Sequence, residues 1–175
     1  MKKTVFLIGF MGSGKTYWAQ RMAAKMRILS YDLDAMVEAM EELTVQEVFE
    51  QMGEKAFRET EQECLQHCIK LDPGIVATGG GTPCFFENMA WMNTKASTIY
   101  LNTPAPLLAD RLKQDLKFRP LLANVAEYDL EAHIEKLLEK RRRYYEQATI
   151  ILDQTADNAL LYEDMLYKAI KYLRE

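Results

Sequence analysis

The sequence predicts an α/β fold, a parallel sheet covered by helices on both faces, and three observations carry that reading. Short β-prone runs alternate with helical stretches along the whole chain. The runs are apolar throughout rather than alternating, as strands buried on both faces are. Two of them lead straight into glycine loops, and in open α/β sheets ligands bind beyond the carboxyl ends of the strands.

Taken in order, Thr4 to Ile8 is the first run and the expected central strand. Gly14 to Arg27 carries Ala, Met and Trp at helical spacing, and Ile28 to Tyr31 is a second short strand. Residues 32–71 read as two or three helices, with Thr44-Val45-Gln46-Glu47 as a capping-box start and Gly53 as a break. Pro73-Gly74 ends them, and Ile75 to Thr78 runs as a third strand into Gly79-Gly80-Gly81. After a helix over 87–93, Ser97 to Leu101 is the fourth strand and Pro104 opens a helix at its first turn. Residues 113–124 read as a mobile loop. Tyr128 to Gln147 is a long charged helix, Thr149 to Leu152 the last strand, and Ala159 to Leu173 a terminal amphipathic helix.

The chain's 175 residues suit a single domain able to bury a core without disulfides or metals. Lys plus Arg total 22 against 26 Asp plus Glu, and the resulting charge of -4 argues against general nucleic-acid or membrane-surface binding. Cys64, Cys68 and Cys84 are too few and too irregular for a disulfide framework, which fits a reducing, cytoplasmic setting. Cys64, His67 and Cys68 could share a helix face, but a zinc site needs a fourth ligand, so core and surface roles are expected for them. The amino terminus has no signal-peptide pattern, and no apolar stretch approaches the roughly 20 residues of a membrane span.

Gly9-Phe10-Met11-Gly12-Ser13-Gly14-Lys15-Thr16 matches G-x-x-x-x-G-K-[ST] between a strand and a helix, the context a phosphate-binding loop requires. Its backbone N–H groups and the helix start would cradle phosphates, Lys15 would neutralise the β and γ oxygens, and Thr16 would ligate Mg²⁺. The spacing of Gly9, Gly12 and Gly14 is not that of a dinucleotide fold, and Asn93-Thr94-Lys95-Ala96 is not a guanine-reading N-K-x-D. Asp32 and Asp34 flank Leu33 at the end of the second strand, where alternate residues share a side. Asp32 would hold a Mg²⁺-bound water and Asp34 would receive an acceptor hydroxyl, unless one of them caps the following helix. Three successive glycines, Gly79 to Gly81, point to close approach of a ligand to bare backbone, with a flexible turn as the alternative. Arg58, Arg119 and the Arg141-Arg142-Arg143 run are the remaining cations of interest. A surface role is open to each, but Arg119, in a polar loop beside Pro120, is placed to swing onto transferring phosphates.

These motifs in this order, over nearly the whole chain, resemble the shikimate kinase family. The resemblance rests on Gly9 to Thr16, Asp32-Leu33-Asp34, Gly53 to Glu59, Ala77 to Gly81, Arg119-Pro120-Leu121-Leu122 and Arg141 to Ala148. It implies a three-layer α/β/α domain with a five-stranded parallel sheet, a P-loop NTPase of the nucleoside-monophosphate-kinase type. It covers residues 1–175, with substrate-binding helices over about 32–71 and a lid over about 113–124. It implies transfer of the γ-phosphoryl of ATP to the 3-hydroxyl of shikimate, with Mg²⁺, on the route to the aromatic amino acids. Catalytic roles fall to Lys15, Asp34 and Arg119, and nucleotide contacts to Gly12, Ser13, Gly14, Lys15, Thr16, Tyr17, Arg111 and Arg119. Metal contacts fall to Thr16 and Asp32, and shikimate contacts to Asp34, Arg58, Gly79, Gly80, Gly81 and Arg141. The chain departs from the family pattern at Arg143, where a proline is usual, which leaves Arg142 as the alternative to Arg141; the family's late nucleotide contact has no clear counterpart over residues 153–157. ATP and shikimate are the expected partners of a cytoplasmic monomer. The rivals are a kinase for another small polyol or a nucleoside monophosphate, and a nucleotide-binding regulator without turnover.

Overall fold

The structure, a computed structural model, describes residues 3–113, 122, 125–155 and 159–175. Most of the expected lid, Arg119 included, lies outside the described residues. Strands β1 (Val5–Ile8), β2 (Leu29–Asp32), β3 (Gly74–Ala77), β4 (Ser97–Asn102) and β5 (Ile150–Asp153) form one all-parallel sheet in the order β2-β3-β1-β4-β5. The helices are α1 (Lys15–Met26), α2 (Leu33–Glu41), α3 (Val45–Cys68), α4 (Asn88–Lys95), α5 (Ala105–Leu112), α6 (Leu130–Tyr145) and α7 (Ala159–Arg174). The expected strands thus stand within a residue of their predicted bounds, and β1 is central because all four of its side chains are apolar and fully buried.

Alternation along β1 divides the interior in two. Val5 and Leu7 face a core with Ala19 and Met22 of α1 and Leu166 and Ile170 of α7. Phe6 and Ile8 face a larger one with Leu33 of α2, Leu65 of α3, Met92 of α4, Leu108 of α5 and Ile134 of α6. The sheet is therefore the middle of three layers. Edge strand β2 leaves Leu29 48% exposed, consistent with having a partner on one side only.

Local signals set the helix bounds. At the start of α3 the Thr44 side chain accepts from the Glu47 N–H at 3.2 Å while the Glu47 carboxylate accepts from the Thr44 N–H at 2.8 Å, the reciprocal capping box. Gly53 breaks α3 with φ 83° and ψ 168°, a left-handed conformation that costs glycine nothing. The second half, carrying Arg58, is thereby re-aimed relative to the first.

Cys64 and Cys68 are fully buried in the larger core, and burial pushes their thiols up to about 11 and about 12; Cys84 is likewise pushed up to about 11. Among the described residues no group of three or more His, Cys, Asp or Glu is placed to hold a metal ion, and no helix is long and apolar enough to cross a membrane.

Thr44→Ala removes the capping box and is expected to lower stability by about 1 kcal/mol in urea denaturation. The buried thiols should resist iodoacetamide at pH 8 in the native protein and react freely once it is unfolded. Because the unfolded thiols ionise first, near 9, the native state binds more protons above that pH. Stability should then decline as pH rises from about 9 towards the folded values, read as a falling urea midpoint.

Candidate active site

Parallel registry brings three loops together at one end of the sheet. Leu7 pairs with Ala77 and Asp32 pairs with Ala77 on its other side, so the turns after β1, β2 and β3 leave the sheet side by side. The Thr78 N–H and hydroxyl both donate to the Leu7 carbonyl, at 3.2 and 3.0 Å, which ties the glycine triplet to the phosphate loop. At Gly80 an added Cβ would stand 3.0 Å from the Met11 nitrogen.

The phosphate loop wraps from β1 into α1, whose N-cap Gly14 has φ 88°. Lys15 is 8% exposed and its ammonium donates to the Gly9 and Phe10 carbonyls at 2.9 and 2.8 Å. A cleft at this loop is lined by Gly12, Gly14, Lys15, Thr16, Tyr17 and Arg111, together with Met11, Asp34, Thr78 and Gly80. Arg111 of α5 donates to the Gly12 carbonyl at 3.1 Å, and the buried Gln154 amide donates to the Ser13 carbonyl at 2.8 Å. Both brace the loop from outside.

The Thr16 hydroxyl donates to Asp32 Oδ2 at 2.6 Å, while Asp32 Oδ1 accepts from the Ala35 N–H at 3.2 Å as the N-cap of α2. Asp32 therefore both caps the helix and faces Thr16. The strand ends at Asp32, so Asp34 belongs to the first turn of α2. Extended alternation therefore does not relate the two carboxylates. Asp32 accepts from Thr16, and Asp34 lines both clefts, one of which Thr16 also lines.

A second cleft is lined by Arg58 and Arg141 with Asp34, Glu61 and the three glycines, and walled by Val45, Phe49 and Phe57. Met11, Asp34 and Gly80 line both clefts, which are thus contiguous. Arg58 is only 4% exposed; its guanidinium donates to Glu61 at 2.8 Å and to Glu54 at 3.2 Å, and lies over the rings of Phe85 and Phe57 at 4.4 and 5.0 Å. Such burial of a cation requires this partnering. Glu61, fully buried, also accepts from the Thr82 hydroxyl at 2.6 Å.

This pair explains the glycine triplet. A Cβ on Gly79 would stand 2.5 Å from Glu61 Oε1, and one on Gly81 would stand 2.5 Å from Arg58 Nη2. The bare backbone is approached by the protein's own ion pair, and neither glycine has positive φ.

Arg141 of α6 lies over the Phe10 ring at 5.3 Å and donates to the Gly80 carbonyl at 3.4 Å. Arg142 points elsewhere, lining a separate groove with Glu135, Asn102 and Asp153. The structure therefore brings together Lys15, Thr16, Asp32, Asp34, Arg58, Gly79 to Gly81, Arg111 and Arg141, with Tyr17 at the rim. Sequence reasoning missed Glu61, Tyr145 and Gln154. Glu61 stands three residues after Arg58 on one helix, a spacing that pairs opposite charges. Tyr145 stands one turn after Arg141. Gln154 carried no local signal, since its partner is 141 residues away.

With that geometry in place, the comparisons with known proteins agree. The family model described as shikimate kinase matches residues 11–173. A shikimate kinase of Parabacteroides distasonis is 38% identical over 151 residues, spanning 86% of this chain and 87% of its own length. The crystal structure of shikimate kinase from Bacteroides thetaiotaomicron superposes with a TM-score of 0.88 at 32% identity, covering 98% of this chain and 99% of that one. Shikimate kinase from Acinetobacter baumannii, solved in complex with shikimate, has a TM-score of 0.88 at 27% identity, covering 100% and 97% of the two chains.

Glu61→Ala leaves the Arg58 charge buried beside a carboxylate, Glu54, that is itself half-exposed. Urea denaturation should show a loss of about 3 kcal/mol, the low end for breaking a buried pair; a loss below about 1 kcal/mol would contradict the account of the ion pair.

Proposed function

The chain belongs to the shikimate kinase family, and from that membership we propose that it transfers the γ-phosphoryl of ATP to the 3-hydroxyl of shikimate, using the two contiguous clefts. The observation that carries the residue assignments is the pair Arg58 and Arg141 lining one cleft, with Asp34 and Gly80 shared with the phosphate loop. Two guanidiniums beside the apolar side chains of Val45, Phe49 and Phe57 suit a small carboxylate, and Asp34 suits a polyol hydroxyl.

In this reading the N–H groups of Gly12 to Thr16 and the amino end of α1 hold the ATP phosphates. Lys15 exchanges its bonds to the Gly9 and Phe10 carbonyls for the β and γ oxygens. Asp34 orients the attacking hydroxyl and accepts its hydrogen bond, and Arg58 and Arg141 hold the carboxylate, with Gly79 and Gly81 flanking the contact at Gly80. Phosphoryl transfer needs positioning and charge stabilisation more than covalent participation, which these groups supply. Tyr17 and Arg111 border the nucleotide, and Arg119 of the lid is assigned to its phosphates on the family resemblance.

Thr16 and Asp32 offer a hydroxyl and a carboxylate in direct contact at the phosphate loop, a hard-oxygen donor set that fits Mg²⁺. When bound there, Mg²⁺ would neutralise charge on the phosphate oxygens. The same reading takes residues 1–175 as one kinase domain acting as a cytoplasmic monomer, without nucleic-acid or membrane partners.

ADP release measured in parallel with shikimate, gluconate and AMP tests the acceptor; turnover with shikimate alone is expected, and preference for either other compound would overturn the assignment. Lys15→Met should reduce kcat by at least about 1,000-fold, as loss of a main transition-state charge does. Arg58→Ala should chiefly raise the shikimate KM, and EDTA should abolish turnover until Mg²⁺ is restored.

A further inference from the structure

Tyr145 is a fully buried side chain at the last turn of α6, and its phenol is used by nothing in the reaction as described so far. Its hydroxyl donates to the Gly80 carbonyl at 2.5 Å. Arg141, four residues earlier and therefore one turn below on the same helix face, donates to that same carbonyl at 3.4 Å. The Tyr145 ring is held in turn against Tyr100 of β4, centroids 5.0 Å apart at 35°. A rigid strand thus backs a ring whose hydroxyl fixes one peptide in the wall between the clefts. The same residue, Gly80, is closely packed on the phosphate loop, since a Cβ there would stand only 3.0 Å from the Met11 nitrogen.

From this arrangement we infer that Tyr145 is a positioning residue for the acceptor, setting the Gly80 carbonyl and through it the Arg141 guanidinium. The inference rests on the reading of the Arg58–Arg141 cleft as the acceptor site. The shorter of the two bonds to Gly80 is the phenol's, so the carbonyl stays oriented when Arg141 turns towards a carboxylate. Burial pushes the phenol above its ordinary value, which favours the protonated donor. Without the hydroxyl, Gly80 would have to be satisfied by Arg141 alone, and that cation would be held on the backbone rather than released to substrate.

Tyr145→Phe keeps the ring and removes the donor. The test is steady-state kinetics with shikimate and ATP varied separately, equilibrium binding of shikimate and of ADP, and the melting temperature. The shikimate KM and Kd should each rise about ten-fold and kcat should fall, while the ATP KM and ADP Kd stay within about two-fold. Unaltered shikimate constants in an active variant would overturn the role. So would equal losses for both ligands with a lowered melting temperature, the mark of a purely structural tyrosine. If the wild-type protein itself fails to turn over shikimate, the reading of the cleft falls and this role falls with it.

Discussion

The placement of the whole site depends on the parallel pairing of β1 between β3 and β4. Hydrogen bonding in fixed register forces the chain to leave β1, β2 and β3 at the same end of the sheet, with β1 and β2 each one strand spacing from β3. The phosphate loop, the Asp32 turn and the glycine triplet are then neighbours by construction. Thr78 adds a bond from its N–H and another from its hydroxyl to the Leu7 carbonyl, extending the registry one residue past the strand. A one-residue slip of β3 would exchange the faces of Ile75 and Val76 and carry Gly79 to Gly81 away from the phosphate loop.

On that frame sits a buried charge pair whose cost shapes everything around it. Arg58 and Glu61 are nearly inaccessible to water, and removing two ions from water is expensive unless their hydrogen-bonding capacity is met. Glu54, the Thr82 hydroxyl and the aromatic rings of Phe57 and Phe85 supply those partners. The pair in turn presses on the glycine triplet so closely that side chains at Gly79 and Gly81 are excluded. A guanidinium held this way has little conformational freedom left to lose.

Individual residues show how far local reading extends. The phosphate loop is recognisable because its glycines, lysine and threonine act through contiguous backbone, and the capping box at Thr44 and Glu47 and the break at Gly53 are likewise local. Asp32 is the cap that the local pattern offered, and its other oxygen accepts from Thr16, so its two oxygens point to different elements. For Asp34 strand alternation does not apply, because α2 already begins at Leu33. The glycine triplet was read as the close approach of a ligand, whereas the groups that crowd Gly79 and Gly81 are a side-chain pair from α3, fixed by packing rather than by neighbours in sequence.

What the sequence by itself determined was the order of elements, the buried character of the strands, the phosphate loop and the family resemblance, all properties of periodicity and contiguous motifs. What only the tertiary structure decided was the choice of Arg141 over Arg142 for the cleft, the partners of Arg58, and the bracing of loops by Tyr145 and Gln154. Those outcomes join residues far apart in the chain, such as Tyr145 with Gly80 and Gln154 with Ser13. Such contacts depend on which face of a helix meets the sheet and on strand order. No local pattern encodes either one.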